Sequence, residues 1–372
     1  MSDFDEYIKG GNPSQKEKSY AWKTAIGLQD VDGLKPSEYL VQTAKQNIEG
    51  DITIEEAKQL IDSYYQSASN RHDVENDRTE EADKVSARIA EILSEQTFNF
   101  SPAQLTSIHR RLFEGIYKLA GRIRDYNITK NEWVLGGETV YYASFDTISE
   151  TLEYDMRIER EFSYAGMPVD DAIRHLMRFC ANLWQIHAFC EGNTRTTAVF
   201  MIKYLKTLGF NVVNDMFAQN SWYFRNALVR ANFSNLQKGI TETTVYLERF
   251  FRSMLLGEEH SFRNRELHIE WKGDTEADAV QSANVAVQSA NVAVQSANSA
   301  LYLPPKGQNC TLEEVAVLRV VQMKPTATQK EIAAEIGKSE RTVKSLTVAL
   351  QEKGVLKRVG SKRDGRWEIV TE

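Results

Sequence analysis

The chain has 372 residues and a mass of 42.4 kDa, with 42% hydrophobic and 26% charged residues, enough to bury a sizeable core in more than one domain. Such a composition excludes fibrous, collagen-like and wholly disordered chains. The net charge of −7 is uneven: Thr311 to Glu372 holds 12 Lys and Arg against 9 Asp and Glu, so a mildly basic tail follows an acidic body, and only the tail suits a polyanion. Cys180, Cys190 and Cys310 lie far apart with no CxxC pair. They support neither a disulfide framework nor a cysteine zinc site, and they suit a reducing interior. Met1 to Gly11 shows no basic start followed by an apolar core, and no apolar run approaches the roughly 20 residues of a spanning helix. A soluble cytoplasmic protein with no membrane partner is expected.

In chain order, Thr53 to Tyr65 predicts an amphipathic helix opened by a Thr cap and early Glu residues. Thr79 to Leu93 repeats the plan, with Val85, Ile89 and Ile92 on one stripe. Trp133 to Ser144, two β-prone runs around Gly136-Gly137, predicts a hairpin. Asp170 to Ile186 and Thr196 to Leu208 are apolar helices around a short polar loop. From Ala279 the heptapeptide AVQSANV recurs at Ala286 and, ending in Ser, at Ala293. It reads as a linker, flexible or partly helical; its Val and Ala residues at heptad spacing keep a self-associating helix, and hence a homodimer, open. Leu303 to Gly307 closes the repeat as a breaker. The tail then predicts helices over Leu312–Met323, Thr328–Ile336 and Ser339–Lys353, and a strand, basic turn and strand from Val355 to Ile369.

The loop between the two apolar helices carries chemistry. In His187-Ala-Phe-Cys-Glu-Gly-Asn-Thr-Arg195, Gly192 and Asn193 sit where a helix begins, so free N–H groups and the positive dipole end would face an anion. Arg195 in the first turn can add a charge-assisted bond to a phosphate. Glu191 supplies the oxygen ligand Mg²⁺ prefers, and His187 can act as a base near neutral pH. Together they describe nucleotide-dependent transfer onto a hydroxyl.

At these residues the sequence resembles the Fic family, whose core motif is HxFx[D/E]GN[G/K]R, matched by His187, Phe189, Glu191, Gly192, Asn193 and Arg195. Ala120-Gly121-Arg122-Ile123-Arg124 is similar to the family's AGxxR segment. The resemblance implies a mainly α fold: a Fic-type helical bundle with a small β-hairpin flap, in which Val134, Leu135, Gly136, Gly137, Thr139 and Val140 dock a target strand. It also implies a protein adenylyltransferase with ATP as co-substrate and Mg²⁺ held by Glu191. His187 would deprotonate a Ser, Thr or Tyr hydroxyl of a target protein or of the chain itself. Phe189 would anchor the loop from inside, and Gly192, Asn193, Thr194, Arg195, Tyr223 and Asn232 would bind the nucleotide.

Thr194 replaces the usual Gly or Lys, and Ala198 stands where many adenylylating members carry a second Arg on the terminal phosphates. A kinase using the same pocket and a nucleotide-binding regulator without turnover therefore stand as alternatives. Ala188 replaces a Pro between the base and its anchor. The family's inhibitory pattern [S/T]xxxE[G/N] is met only at its end by Glu75-Asn76, with Arg71 at the Ser/Thr position, which makes Glu75 an inhibitory candidate; a solvated carboxylate is the other reading.

The tail resembles winged helix-turn-helix domains of bacterial regulators. That likeness implies DNA binding through Ser339, Arg341, Thr342 and Lys344 on a recognition helix and Lys362, Arg363 and Arg366 on a wing; docking to protein is the other reading. From Lys338 to Arg366 there are nine basic residues against three acidic ones. The expected organisation is an N-terminal helical region at 1–99, a Fic core at 100–255, a repeat-containing linker at 256–310 and a winged helix at 311–372.

Overall fold

The computed structural model describes residues 4–67, 74–210, 216–272, 310–360 and 365–370, the side chains of 74–76 excepted. The repeat, Lys362 and Arg363 lie outside the described residues, as does the Glu75 side chain.

The N-terminal helices are set by their caps. α1 (Asp5–Gly10) leads into α2 (Pro13–Gly27), which starts at Asn12 with a capping box to Gln15 and Pro13 in its first turn. A 3-10 turn, Leu28–Asp32, follows. α3 (Glu38–Glu49) is capped by Ser37, and α4 (Ile54–Ser67) by Thr53, whose hydroxyl accepts the Glu56 N–H while Glu56 accepts that of Thr53. α5 (Val74–Ser94) starts before the expected Thr79. Asp83, wholly buried on α5, accepts from the Ser37 amide and hydroxyl and from the Tyr65 hydroxyl, which ties α3, α4 and α5 together. α2 and α5 pack along each other, and α2 also packs on α10 (Met216–Ala231).

α6 (Pro102–Phe113), α7 (Ile148–Glu161), α8 (Val169–Ile186), α9 (Asn193–Thr207) and α11 (Val245–Leu256) complete the body. α9 is the central helix. Every residue from Asn193 to Leu205 is buried, as expected of a helix enclosed on all sides, and α5, α6 and α8 pack around it. Core aromatics such as Phe200, Trp184 and Phe224 are buried whole, each stabilising the fold by about 2–3 kcal/mol. The N-terminus of α9 is thus fixed by the core rather than carried on a surface loop.

The hairpin expected over Trp133–Ser144 does not form. The segment holds a 3-10 turn, Trp133–Leu135, with Gly136 and Gly137 at positive φ, and no strand is assigned there among the described residues. Its β-prone side chains are spent on the core: Val134, Leu135 and Val140 are buried. The segment is held by side chains instead. Glu132, fully buried, pairs with Arg225 of α10 at 2.8 Å and accepts from the Tyr142 hydroxyl. The described strands are β1 (Leu356–Val359) and β2 (Arg366–Ile369), antiparallel, with Leu356 opposite Ile369 and Val359 opposite Arg366.

Those strands close a C-terminal unit of α12 (Leu312–Met323), α13 (Gln329–Glu335) and α14 (Glu340–Glu352), capped by Thr311, Thr328 and Ser339. The unit meets the body directly. The Val169 N–H donates to the Cys310 carbonyl at 2.9 Å, Arg319 lies buried over the Phe210 ring, and Gly209 comes so close to Ile336 that a Cβ would lie 3.2 Å from its carbonyl oxygen. The 257–272 stretch, expected to belong to the linker, also returns to the body: the Ile269 N–H donates to the Val134 carbonyl.

Candidate active site

α8 ends at His187, which adopts a left-handed conformation (φ 49°), and α9 begins after Gly192 (φ 72°). Two left-handed residues therefore bracket the loop and turn the chain back sharply. Glycine at 192 has a second cause: a Cβ there would lie 2.3 Å from Cε2 of Phe113.

The loop is clamped from within. The Asn193 carboxamide accepts the Phe189 N–H at 2.9 Å and donates to the Phe189 carbonyl at 2.7 Å. His109 on α6 stacks on the Phe189 ring with centroids 3.8 Å apart. Its Nδ1 accepts the Gly121 N–H, so its Nε2–H donates to the Glu191 carbonyl at 3.0 Å. Burial pushes His109 down to about 4, which keeps the ring neutral, and the two bonds fix its tautomer. Arg124 donates to the carbonyls of Ile186, His187, Tyr126 and Ala143, while its own amide donates to that of Ala188. The AGxxR arginine is thus the clip that sets the loop's exit from α8.

His187 is almost wholly buried. The Tyr142 ring lies 4.0 Å from it, centroid to centroid, and Trp184 meets it edge-on at 5.2 Å. Burial first, then the charge of Lys130, pushes its pKa well below the ordinary range, so the imidazole is neutral. Its Nδ1 has no partner. Glu191 is the exposed member of the loop, with Oε2 2.9 Å from the Lys130 ammonium. Beside it opens a pocket of about 270 Å³ lined by residues that include His109, Tyr117, Lys118 and Cys190.

The side chains expected on a phosphate have other partners. Arg195 is fully buried: its Nε lies 2.9 Å from Asp32, Nη2 lies 2.6 Å from Glu81 and 2.8 Å from the Tyr117 hydroxyl, and Nη1 lies 3.0 Å from Gln29. α5 sends the Glu81 carboxylate to the motif. Thr194 accepts the Trp184 indole N–H at 3.0 Å, which gives the replacement of Gly or Lys a physical reason. Tyr223 is buried edge-on to Phe262, and Asn232 donates to the Ala181 and Leu228 carbonyls. In the 133–144 segment Thr139 accepts the Lys130 N–H, and Gly136 and Gly137 remain exposed. His109, Asp32 and Glu81 carried no signal in the sequence: each is a single polar residue on an otherwise ordinary helix or turn.

Among the described residues no group of three or more His, Cys, Asp or Glu could hold a metal ion. Glu191 alone fits an ion that arrives on a nucleotide, since Mg²⁺ keeps several waters and is bound through one or two carboxylates plus substrate phosphates. No helix among the described residues is long and apolar enough to cross a membrane.

Residues 99–205 match the family model described as the Fic/DOC family. The match supports a Fic domain over this stretch, which spans the loop from His187 to Arg195, and the largely helical architecture is consistent with that fold. Proteins of this family generally transfer nucleotide-derived groups onto other proteins.

Proposed function

We propose that the chain is a protein adenylyltransferase that uses ATP and Mg²⁺, with His187 as base, Glu191 as metal ligand and the N-terminus of α9 as phosphate cradle. The observation that carries this reading is the loop itself. A neutral imidazole with an unpartnered Nδ1 and an exposed carboxylate stand at the start of a helix whose first N–H groups lack intrahelical partners. In the reaction a target hydroxyl oxygen bonds to the α-phosphorus and its proton passes to His187; the bond from that phosphorus to the bridging oxygen breaks and pyrophosphate leaves. Bound Mg²⁺ supplies charge neutralisation on the phosphates.

The side chains of Asn193, Thr194 and Arg195 shape the cradle, and its backbone does the binding. Ala198 is buried and uncharged, so the motif helix offers no second arginine to the terminal phosphates. That observation favours a second reading, a reversed donor and transfer of the γ-phosphate. Incubation with Mg²⁺ and ATP labelled at the α- or the γ-position separates the two, with His187→Ala as control. Label from the α-position only, lost in the variant, is expected. Label from the γ-position would replace the first reading by the second, and label retained in His187→Ala would refute both mechanisms.

For the C-terminal unit we propose a DNA-binding winged helix. Ser339, Arg341 and Lys344 stand exposed at the start of α14, with Thr342 bonded to Ser339, and Arg366 is exposed at the start of β2. Arg358 stacks on Trp367, centroid distance 4.8 Å, bracing the hairpin that would present the wing.

A further inference from the structure

We propose that Lys130 is the cation that holds the terminal phosphates of the nucleotide, in the place left empty by Ala198. The inference rests on reading the loop as a nucleotide site, and it starts from charge. A triphosphate brings several negative charges, whereas a helix N-terminus offers the equivalent of roughly half a positive one. Beside bound Mg²⁺, a side-chain cation would complete the cradle at the terminal phosphates.

Neither arginine of the loop is available for that task. Both terminal nitrogens of the Arg195 guanidinium are hydrogen-bonded, to Gln29, Glu81 and Tyr117, the Asp32 carboxylate lies 2.9 Å from its Nε, and the residue has no exposed surface. Arg124 is committed to the four carbonyls that shape the loop. Lys130 differs from both. Its backbone is fixed, its N–H donating to Thr139 at 3.0 Å, but its ammonium rests at the mouth of the loop on Glu191, 2.9 Å away, on a carboxylate more than half exposed. An exposed ion pair of this kind contributes about 1 kcal/mol or less, so a phosphate chain with greater charge can draw the ammonium away from the carboxylate. The flexible four-carbon stem gives the ammonium the reach for such a swing. The charge of Lys130 also reaches His187, so the ammonium acts on the base as well as on the carboxylate it pairs with. Lys118, on the wall of the pocket beside Glu191, is the rival cation and serves as the control.

The test is titration calorimetry on the full chain carrying His187→Ala, which prevents turnover, with ATP and AMP in the absence of metal. Adding Lys130→Ala is expected to weaken ATP binding about tenfold or more, the worth of one charge-assisted bond, and to leave AMP binding within about twofold; Lys130→Arg restores ATP binding. Glu191→Gln is expected to tighten ATP binding when Lys130 is present and to have a smaller effect when position 130 is Ala, because the carboxylate competes for that ammonium. Unchanged ATP affinity in Lys130→Ala, an equal loss for ATP and AMP, or a loss confined to Lys118→Ala overturns the assignment while leaving the nucleotide site standing. Failure of the His187→Ala chain to bind any nucleotide removes both readings together.

Discussion

Replacing His109 by Gln should make the protein less sensitive to acid, although the residue lies on no predicted motif. In the fold His109 is neutral, accepting from the Gly121 amide and donating to the Glu191 carbonyl, and burial holds it down to about 4 from an ordinary value of 6.5. The unfolded chain takes up a proton as pH falls below the ordinary value, and the folded chain does not until near the depressed one. The stability tied to His109 is therefore complete above the ordinary value, is lost as pH falls through the window between the two, and stops changing below it. The difference is worth about 3 kcal/mol. Gln carries an acceptor and a donor on one side chain but no titration, so it retains a version of both bonds at a roughly constant cost. Urea unfolding followed by tryptophan fluorescence, at about pH 7.5 and about pH 4.5, should show the wild type losing about 2–3 kcal/mol more than His109→Gln between the two. Other groups titrate in the same window, but they are common to both proteins and cancel in the comparison. A gap between the two proteins that does not change with pH would refute the reasoning.

Gly192→Ala should destabilise the body by about 2–4 kcal/mol, since it combines a left-handed backbone with a methyl group driven into the Phe113 ring; recovery of the unfolding midpoint when Phe113→Leu is added would identify the clash, and no recovery would leave only the backbone term. Thr194→Val keeps shape and removes the acceptor of the buried Trp184 indole N–H, so a loss of about 1–3 kcal/mol is expected in the same urea assay; an unchanged midpoint would show that this bond does not support the loop.

Many of the helices were legible because caps and apolar spacing are local signals. Ser339, Thr328 and Thr311 mark the starts of α14, α13 and α12 where the sequence placed them, and the end of α8 and the loop to Arg195 stand where the motif implied. What the sequence withheld is contact between distant residues. Arg195 meets Gln29 across 166 positions and Glu81 across 114, and nothing at either end announces the partner. The 133–144 segment misled for a related reason. Val and Tyr favour strands only when another strand pairs with them; here Val134 and Val140 found the core and Tyr142 found Glu132 and His187. Thr194 showed the converse, a departure from the family pattern that became intelligible once Trp184 was seen beside it.

The direct seating of the C-terminal unit on the end of α9 changes what the AVQSANV repeat has to do. Because Gly209 meets Ile336 and Arg319 lies over Phe210, the spacing of the two halves is set by surfaces in contact, and the chain between Lys272 and Cys310 is relieved of acting as a ruler. Closing a longer connection costs little, about 0.6 kcal/mol for each doubling of its length. Gain or loss of one seven-residue copy, the kind of slippage that tandem repeats invite, would therefore leave the halves seated as before, and this tolerance gives a physical reason why near-identical copies can persist at Ala279, Ala286 and Ala293.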